Sequence, residues 1–317
     1  MTKTENGILR TRRRKLNTSA FDVPVYVQAI AYIITTALAL MCILPFLLTV
    51  SISFSDEAAL REHGYSLIPP AFSLEGYSYL MKNSAQIIRS YGVTIFVTLS
   101  GTILGLFIMT LFAYVVSRRY FPWRRSFTFV ALFTMLFSGG MLPSYIINSH
   151  FLHLKDNILA LILPCCMSAM YVLILRTFMA TSIPDSVVES AKIDGAHEFT
   201  CYFKIVLPMA VPAIATIALF VAVNYWNNWF QGFLYIVTNT KIMPIQLLLK
   251  RMENEVQFLA NNAGQMGVAE AAAMKESIPG ETIRMCLVVL VVLPILVSYP
   301  FFQRYFVQGI TVGAVKE

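Results

Sequence analysis

Charge is what this sequence has least of. Asp, Glu, Lys and Arg make up 13% of its 317 residues while 57% are hydrophobic, against about a quarter charged in a soluble domain. A soluble globular protein is excluded on that ground. Basic residues exceed acidic ones by 24 to 17, a net +7, but they are too dilute for a nucleic-acid surface. The five cysteines include no C-x-x-C pair, so neither a disulfide framework nor a zinc spacing is present, and adjacent Cys165 and Cys166 read as inert apolar thiols. No G-x-x-x-x-G-K-[ST] run and no G-x-G-x-x-G after a strand occurs, so the chain carries no phosphate cradle and no cofactor is expected on it. G-x-S-x-G and H-E-x-x-H are also missing, and the four histidines fall in loops or at span ends, which leaves hydrolytic and metal chemistry without support.

What is present is a set of long intervals free of Asp, Glu, Lys and Arg. A charge at the centre of a bilayer costs about 2.5–3.5 kcal/mol on insertion scales, so these intervals locate membrane spans. Six qualify: Asp22 to Asp56 encloses 33 residues, Arg89 to Arg118 28, Arg125 to Lys155 29, Asp156 to Arg176 19, Lys204 to Lys241 36 and Arg284 to Arg304 19. Each can hold the roughly 20 residues of a spanning helix. The 14 residues between Glu255 and Glu270 are too few and too rich in Asn and Gly, and are placed outside the bilayer. Pro45, Pro143, Pro164, Pro212 and Pro294 fall in or beside spans and predict kinks.

Six spans put both termini on one side. That side collects 15 of the 24 Lys and Arg residues, with dense clusters at Arg10–Lys15 and Arg118–Arg125, and the other side has nine. The excess predicts cytoplasmic termini. The apolar run Tyr26–Phe54 is too long for a signal-peptide core and is read as the first span. The expected organisation is all-α and polytopic: a basic cytoplasmic segment 1–24, a six-helix membrane domain 25–307 with external loops 55–90 and 239–281 and a cytoplasmic loop 180–208, and a cytoplasmic tail 308–317. The spans contain no Asp or Glu, the usual proton relays of carriers, so energy is expected from outside the bilayer. A sodium site built from backbone carbonyls would escape this test, and an ion-coupled carrier made of six-helix halves stays as the alternative.

The cytoplasmic loop reads TSIPDSVVESAKIDGAHEFTCYFKIVLP from Thr181 to Pro208. Ser182, Pro184 and Asp185 signal a helix start and Gly195 its stop. Val187, Val188 and Ala191 are expected on one face of that helix. Phe199, Tyr202, Phe203 and Val206 predict a second short helix, giving a helix, turn and helix beneath the membrane.

This stretch resembles the EAA loop of permease subunits in ATP-binding-cassette (ABC) importers, whose pattern is Glu-Ala-Ala, three residues, Gly, nine residues, Ile, any residue, Leu-Pro. Glu189, Ala191, Gly195, Ile205, Leu207 and Pro208 match it in spacing, and Ser190 stands where the pattern has Ala. The tail Phe301–Glu317 and the pair Trp226-Asn227 resemble the carbohydrate-type permeases of this group. The resemblance implies a type I importer permease in a bacterial cytoplasmic membrane, multi-pass. It further implies a second permease subunit, two ATPase subunits that use ATP and Mg, and an external solute-binding (lipo)protein that delivers a sugar or oligosaccharide. Glu189, Ser190, Ala191, Asp194, Gly195, Ala196, Ile205, Leu207 and Pro208 would be the ATPase-coupling residues. Since the loop marks coupling and not cargo, a non-sugar solute stays open.

Two further stretches carry expectations. Asn224, Trp226, Asn227 and Asn228 interrupt the fifth span with amides and an aromatic face, suited either to a sugar ring in the pathway or to packing between helices. Met243–Leu249, an apolar piece of the last external loop, would be an aggregation risk in water and is expected to be buried within the complex.

Overall fold

The computed structural model describes residues 24–82, 84–262 and 280–314, without the side chains at 256, 259–262 and 301–314. The expected N-terminal basic segment, residues 263–269 of the polar stretch 256–269 and the last residues of the tail lie outside the described residues. Among the described residues the secondary structure is helical apart from one isolated bridge, Ser55 to Phe72. The order is α1 Val25–Ser53, α2 Glu57–His63, α3 Glu75–Lys82, α4 Ser84–Ser117, α5 Arg124–Leu136, α6 Met141–Ile146, α7 Leu159–Ile162, α8 Ala169–Ser182, α9 Asp185–Ile193, α10 Glu198–Cys201, α11 Leu207–Met209, α12 Val211–Trp226, α13 Phe230–Tyr235, α14 Ile245–Asn262 and α15 Glu281–Ala314.

Two compact units divide the chain, the first ending at Leu48 and the second starting at Thr49. In the first, the Val25–Leu48 part of α1 exposes apolar side chains along its length, among them Ile30, Ile33, Leu38 and Met41. A helix apolar all round belongs in lipid or against another membrane protein.

The second unit is organised around α4. Its 34 residues span about 50 Å at 1.5 Å per residue, longer than a bilayer core of about 30 Å. Against α4 pack α8 and α12, burying Met109, Ala113, Val172, Leu175, Ile217 and Val221 in one core. Close approach is set by Gly101: a Cβ there would lie 2.4 Å from Cζ of Tyr225 on α12. Tyr225 in turn donates to the Ile162 carbonyl at 2.8 Å. A second core joins α3, α4, α14 and α15 through Leu80, Ile87, Ile245, Leu287 and Val291.

Three of the six apolar intervals contain single helices long enough to span, α1, α4 and Glu281–Pro300. The other three are bent pairs: Arg124–Leu136 with Met141–Phe151 at 110°, Leu159–Cys165 with Ala169–Ser182 at 51°, and Glu198–Met209 with Val211–Trp226 at 80°. The breaks have local causes. Gly140, four residues after α5 ends at Leu136, adopts φ +85°, Pro164 lies in a 3-10 turn, and Pro212 offers no N–H to the Pro208 carbonyl four residues back. Kinks were thus correctly expected near Pro143, Pro164 and Pro212, whereas Pro45 and Pro294 sit inside continuous helices.

Met243–Leu249 is covered by the chain itself. Met243, Ile245 and Leu247 are buried, and the Ile245 amide donates to Thr94 Oγ1 at 2.9 Å. Asp156 pins the neighbouring turn. Its carboxylate accepts from the amides of Val237, Thr238 and Asn239 at 2.8–3.0 Å and from Thr238 Oγ1 at 2.9 Å. The Asn239 amide leads these bonds in holding the carboxyl down, at about 2 against an ordinary 3.8.

Candidate functional site

The loop that resembles the EAA sequence folds as a helix, a turn and a second helix. α9 starts behind Pro184 and ends where Gly195 takes φ +85°, a left-handed conformation that a side chain opposes by about 1–2 kcal/mol. The turn closes with the amides of Asp194, Gly195 and Ala196 donating to the carbonyls of Ser190, Lys192 and Ala191 at 2.9–3.0 Å. α10 continues through a π-helical turn, Tyr202–Val206, into α11.

The apolar residues of this loop divide between two faces. Val188, Tyr202 and Val206 are buried, and Ala191, Ala196 and Leu207 pack against the same core. Ile193 is 86% exposed, Phe199 72% and Phe203 47%; Val187, Glu189, Ser190, Asp194, Gly195 and Pro208 are exposed with them, and Ile205 is half-buried. Val187 and Val188 therefore do not share a face. The second helix likewise turns Phe199 and Phe203 outward and Tyr202 and Val206 inward, because each pair is four residues apart on its own stripe.

Both loop helices are fastened to the end of α4, through side chains that the sequence pattern did not single out. Arg118 is 1% exposed and donates to Ser117 Oγ at 3.1 Å, Asp185 Oδ1 at 3.3 Å and the Met179 carbonyl at 3.3 Å. Arg119 reaches Asp185 Oδ2 at 3.4 Å. A buried guanidinium is stable only when its donors are used in this way. Glu198 ties down the second helix: it accepts from Tyr114 at 2.7 Å and Tyr120 at 2.9 Å and pairs with Lys192. The Lys192 ammonium lies 3.6 Å from the centroid of the Tyr120 ring, a cation–π contact. Burial raises the Glu198 carboxyl, and the bonds from Lys192, Tyr114 and Tyr120 more than offset it, leaving it below the ordinary 4.5. Inside the core, Thr110 and Tyr202 share a hydroxyl bond of 2.8 Å. The only sequence signal for this clasp was that Asp185 and Glu198 are acidic in a stretch facing the Arg118-Arg119 pair.

The four residues at the end of α12 do not converge. Trp226 is buried and donates its indole N–H to the Val291 carbonyl of α15 at 3.1 Å. Asn228 donates to Cys165 Sγ at 3.2 Å and accepts from the Gln231 amide at 3.1 Å. Asn227 accepts from Gln246 at 3.1 Å, and Asn224 is exposed. The cavity beside Asn228, lined by Thr94, Tyr225 and Gln231, measures about 10 Å³, room for one water and no sugar ring. Among the described residues no group of His, Cys, Asp or Glu is arranged to hold a metal ion.

Comparison with known proteins follows from this geometry. Residues 122–312, which include the whole loop and α12, match the family described as binding-protein-dependent transport system inner membrane component. The polygalacturonan/rhamnogalacturonan transport system permease protein YtcP of Bacillus subtilis is 40% identical over 88% of this chain and 94% of its own length. Protein LplC of the same organism is 37% identical over 86% and 89%. A bacterial ABC transporter involved in the import of the acidic polysaccharide alginate superposes with a TM-score of 0.75 at 28% identity, covering 89% of this chain and 96% of that one. With the family signature spread over more than half of its length and near-full-length relatives at this identity, the chain belongs to the inner membrane components of binding-protein-dependent ABC transport systems, as a multi-pass permease subunit and not an enzyme in itself.

Proposed function

We propose that this chain is one of two permeases lining the pathway of an ATP-driven importer for a sugar or oligosaccharide, with α9 to α11 as the cytoplasmic handle by which a separate ATPase moves it. The observation that carries this reading is the exposure of the apolar side chains Ile193, Phe199 and Phe203 on a loop otherwise bound tightly to the bundle. Apolar side chains held out in this way call for a protein partner. The excess of Lys and Arg on the same side supports a cytoplasmic position and cytoplasmic termini, and the three long helices allow up to six crossings if each bent pair counts as one span.

Coupling then requires a differential contact. ATP favours the closed pair of ATPases, and a rigid loop passes that preference to the spans as a change in the outward-facing population. Glu189, Ser190, Asp194 and Gly195 form the docking side; Ala191, Ala196, Ile205, Leu207 and Pro208 hold the loop's shape; Arg118 and Glu198 transmit its motion to α4. The names of YtcP and of the alginate transporter support a carbohydrate cargo, and the family's description supports its delivery by an external solute-binding protein. Reconstitution tests the reading: uptake should require the ATPase, ATP with Mg and the binding protein together. Uptake driven by an ion gradient alone would overturn it.

A further inference from the structure

Among the described residues, three arginines at the proposed cytoplasmic end of the bundle have no carboxylate partner. Arg118, Arg119 and Lys192 are each paired with Asp185 or Glu198. Arg124, Arg125 and Arg176 instead line one open groove of about 370 Å³ together with Thr128, Phe129 and Leu132, and no acidic side chain lines it. Arg176 Nε is buried with no hydrogen-bond partner, a donor that an acceptor in the groove would satisfy. The electrostatics add to this. Arg124 and Arg125 occupy the first turn of the 13-residue helix α5, which has no acidic residue there and no side-chain cap from Trp123, so the positive end of the helix dipole adds to their charge.

The chemistry that fits is an anion with several acceptor oxygens. The groove's other wall identifies its source. Phe129 and Leu132, one and two turns further along α5, are 67% and 40% exposed and continue the groove as an apolar strip toward the bilayer. We propose that Arg124, Arg125 and Arg176 bind the phosphate of an anionic phospholipid of the cytoplasmic leaflet, with an acyl chain along Phe129 and Leu132. The assignment of the leaflet rests on the orientation proposed above. A bound headgroup would tie α5 to α8, the element that leads directly into the coupling loop.

Native mass spectrometry of the full chain in its assembled transporter, washed and then offered phosphatidylglycerol and phosphatidylcholine in equal amounts, tests this. A basic residue close to an anionic surface strengthens binding about fivefold. The wild type is therefore expected to retain phosphatidylglycerol preferentially, Arg124→Gln/Arg125→Gln to weaken its retention by about thirtyfold, and Arg176→Lys to keep part of the preference that Arg176→Gln loses. The single variant Arg125→Gln, at an exposed position, guards against loss of folding and should weaken retention about fivefold. Equal retention by wild type and variants would overturn the site. Displacement of the lipid by millimolar inorganic phosphate would assign the groove to a soluble anion and overturn the lipid. Neither ATP turnover nor solute enters the measurement, so failed coupling and a failed lipid site are distinguishable.

Discussion

The Tyr114 hydroxyl on α4 donates to Glu198 Oε2 on α10 at 2.7 Å, so a 34-residue helix of the bundle is linked directly to the second helix of the proposed coupling loop. Glu198 also takes Tyr120 and Lys192. Tyr114→Phe should leave the protein folded, cost about 1 kcal/mol in this link, and raise the ATP consumed per solute imported by up to about fivefold. Parallel assays of uptake and hydrolysis in proteoliposomes read this directly.

The same carboxylate carries a pH dependence of known sign. Because the folded Glu198 pKa lies below the ordinary 4.5, its stabilisation is complete above that value and is lost as pH falls through the folded pKa. The melting-temperature gap between wild type and Glu198→Gln should be constant from pH 7 to 5 and shrink below 4.5. A gap that widens on acidification would contradict the lowered carboxyl.

Gly195 is required by backbone conformation and not by space, since a Cβ there meets nothing within 4 Å. Gly195→Val should distort the turn at a cost of about 1–2 kcal/mol, while Gly195→Asn, which tolerates the left-handed region, should be milder. Gly195→Asp adds charge at the docking side and is expected to abolish uptake with the spans intact. Loss of ATPase stimulation alongside normal melting is the expected signature.

At Gly101 the constraint is the reverse. A Cβ 2.4 Å from the Tyr225 ring would push α4 away from α12, so Gly101→Val should destabilise the bundle by about 1–3 kcal/mol and release the Tyr225 bond to Ile162. Thermal unfolding in detergent checks the size of the effect.

Asp156 supplies the fifth test. Asp156→Asn keeps the shape but presents an amide to donors already aimed at a carboxylate. The stabilisation it removes should be present above pH 3.8 and fade as pH falls toward the folded value of about 2. Acid titration of wild type and variant, followed by melting temperature, shows whether the two curves merge.

Much of this architecture was legible because a bilayer imposes a simple rule: residues between charges go in. The apolar intervals, the kinks near Pro143, Pro164 and Pro212, and the Gly195 stop all follow from local chemistry. The inward and outward division of Val187 from Val188, and of Phe199 from Tyr202, was not legible, since a short helix with two apolar stripes offers no local reason to prefer one. The clasp around Arg118 and Glu198 was hidden for a different reason. Its partners are 67 and 84 residues apart in sequence, and Arg118 reads as a topology charge until its burial is known. Trp226 and Asn228 were compatible with either pathway or packing, and only their bonds to Val291 and Cys165 show how far they are committed to neighbouring helices. Separate Asn227→Ala and Trp226→Phe variants should differ accordingly: altered uptake selectivity for the exposed amide, reduced melting temperature for the buried indole.

The most direct test of the central claim is a single cysteine at Ile193, in an otherwise cysteine-free chain assembled with its ATPase. The account predicts that this cysteine crosslinks to the ATPase, that the yield changes with ATP, and that a membrane-impermeant thiol reagent added outside cells leaves it unmodified. Labelling from outside, or an assembled transporter in which position 193 crosslinks to no nucleotide-hydrolysing subunit, would contradict it.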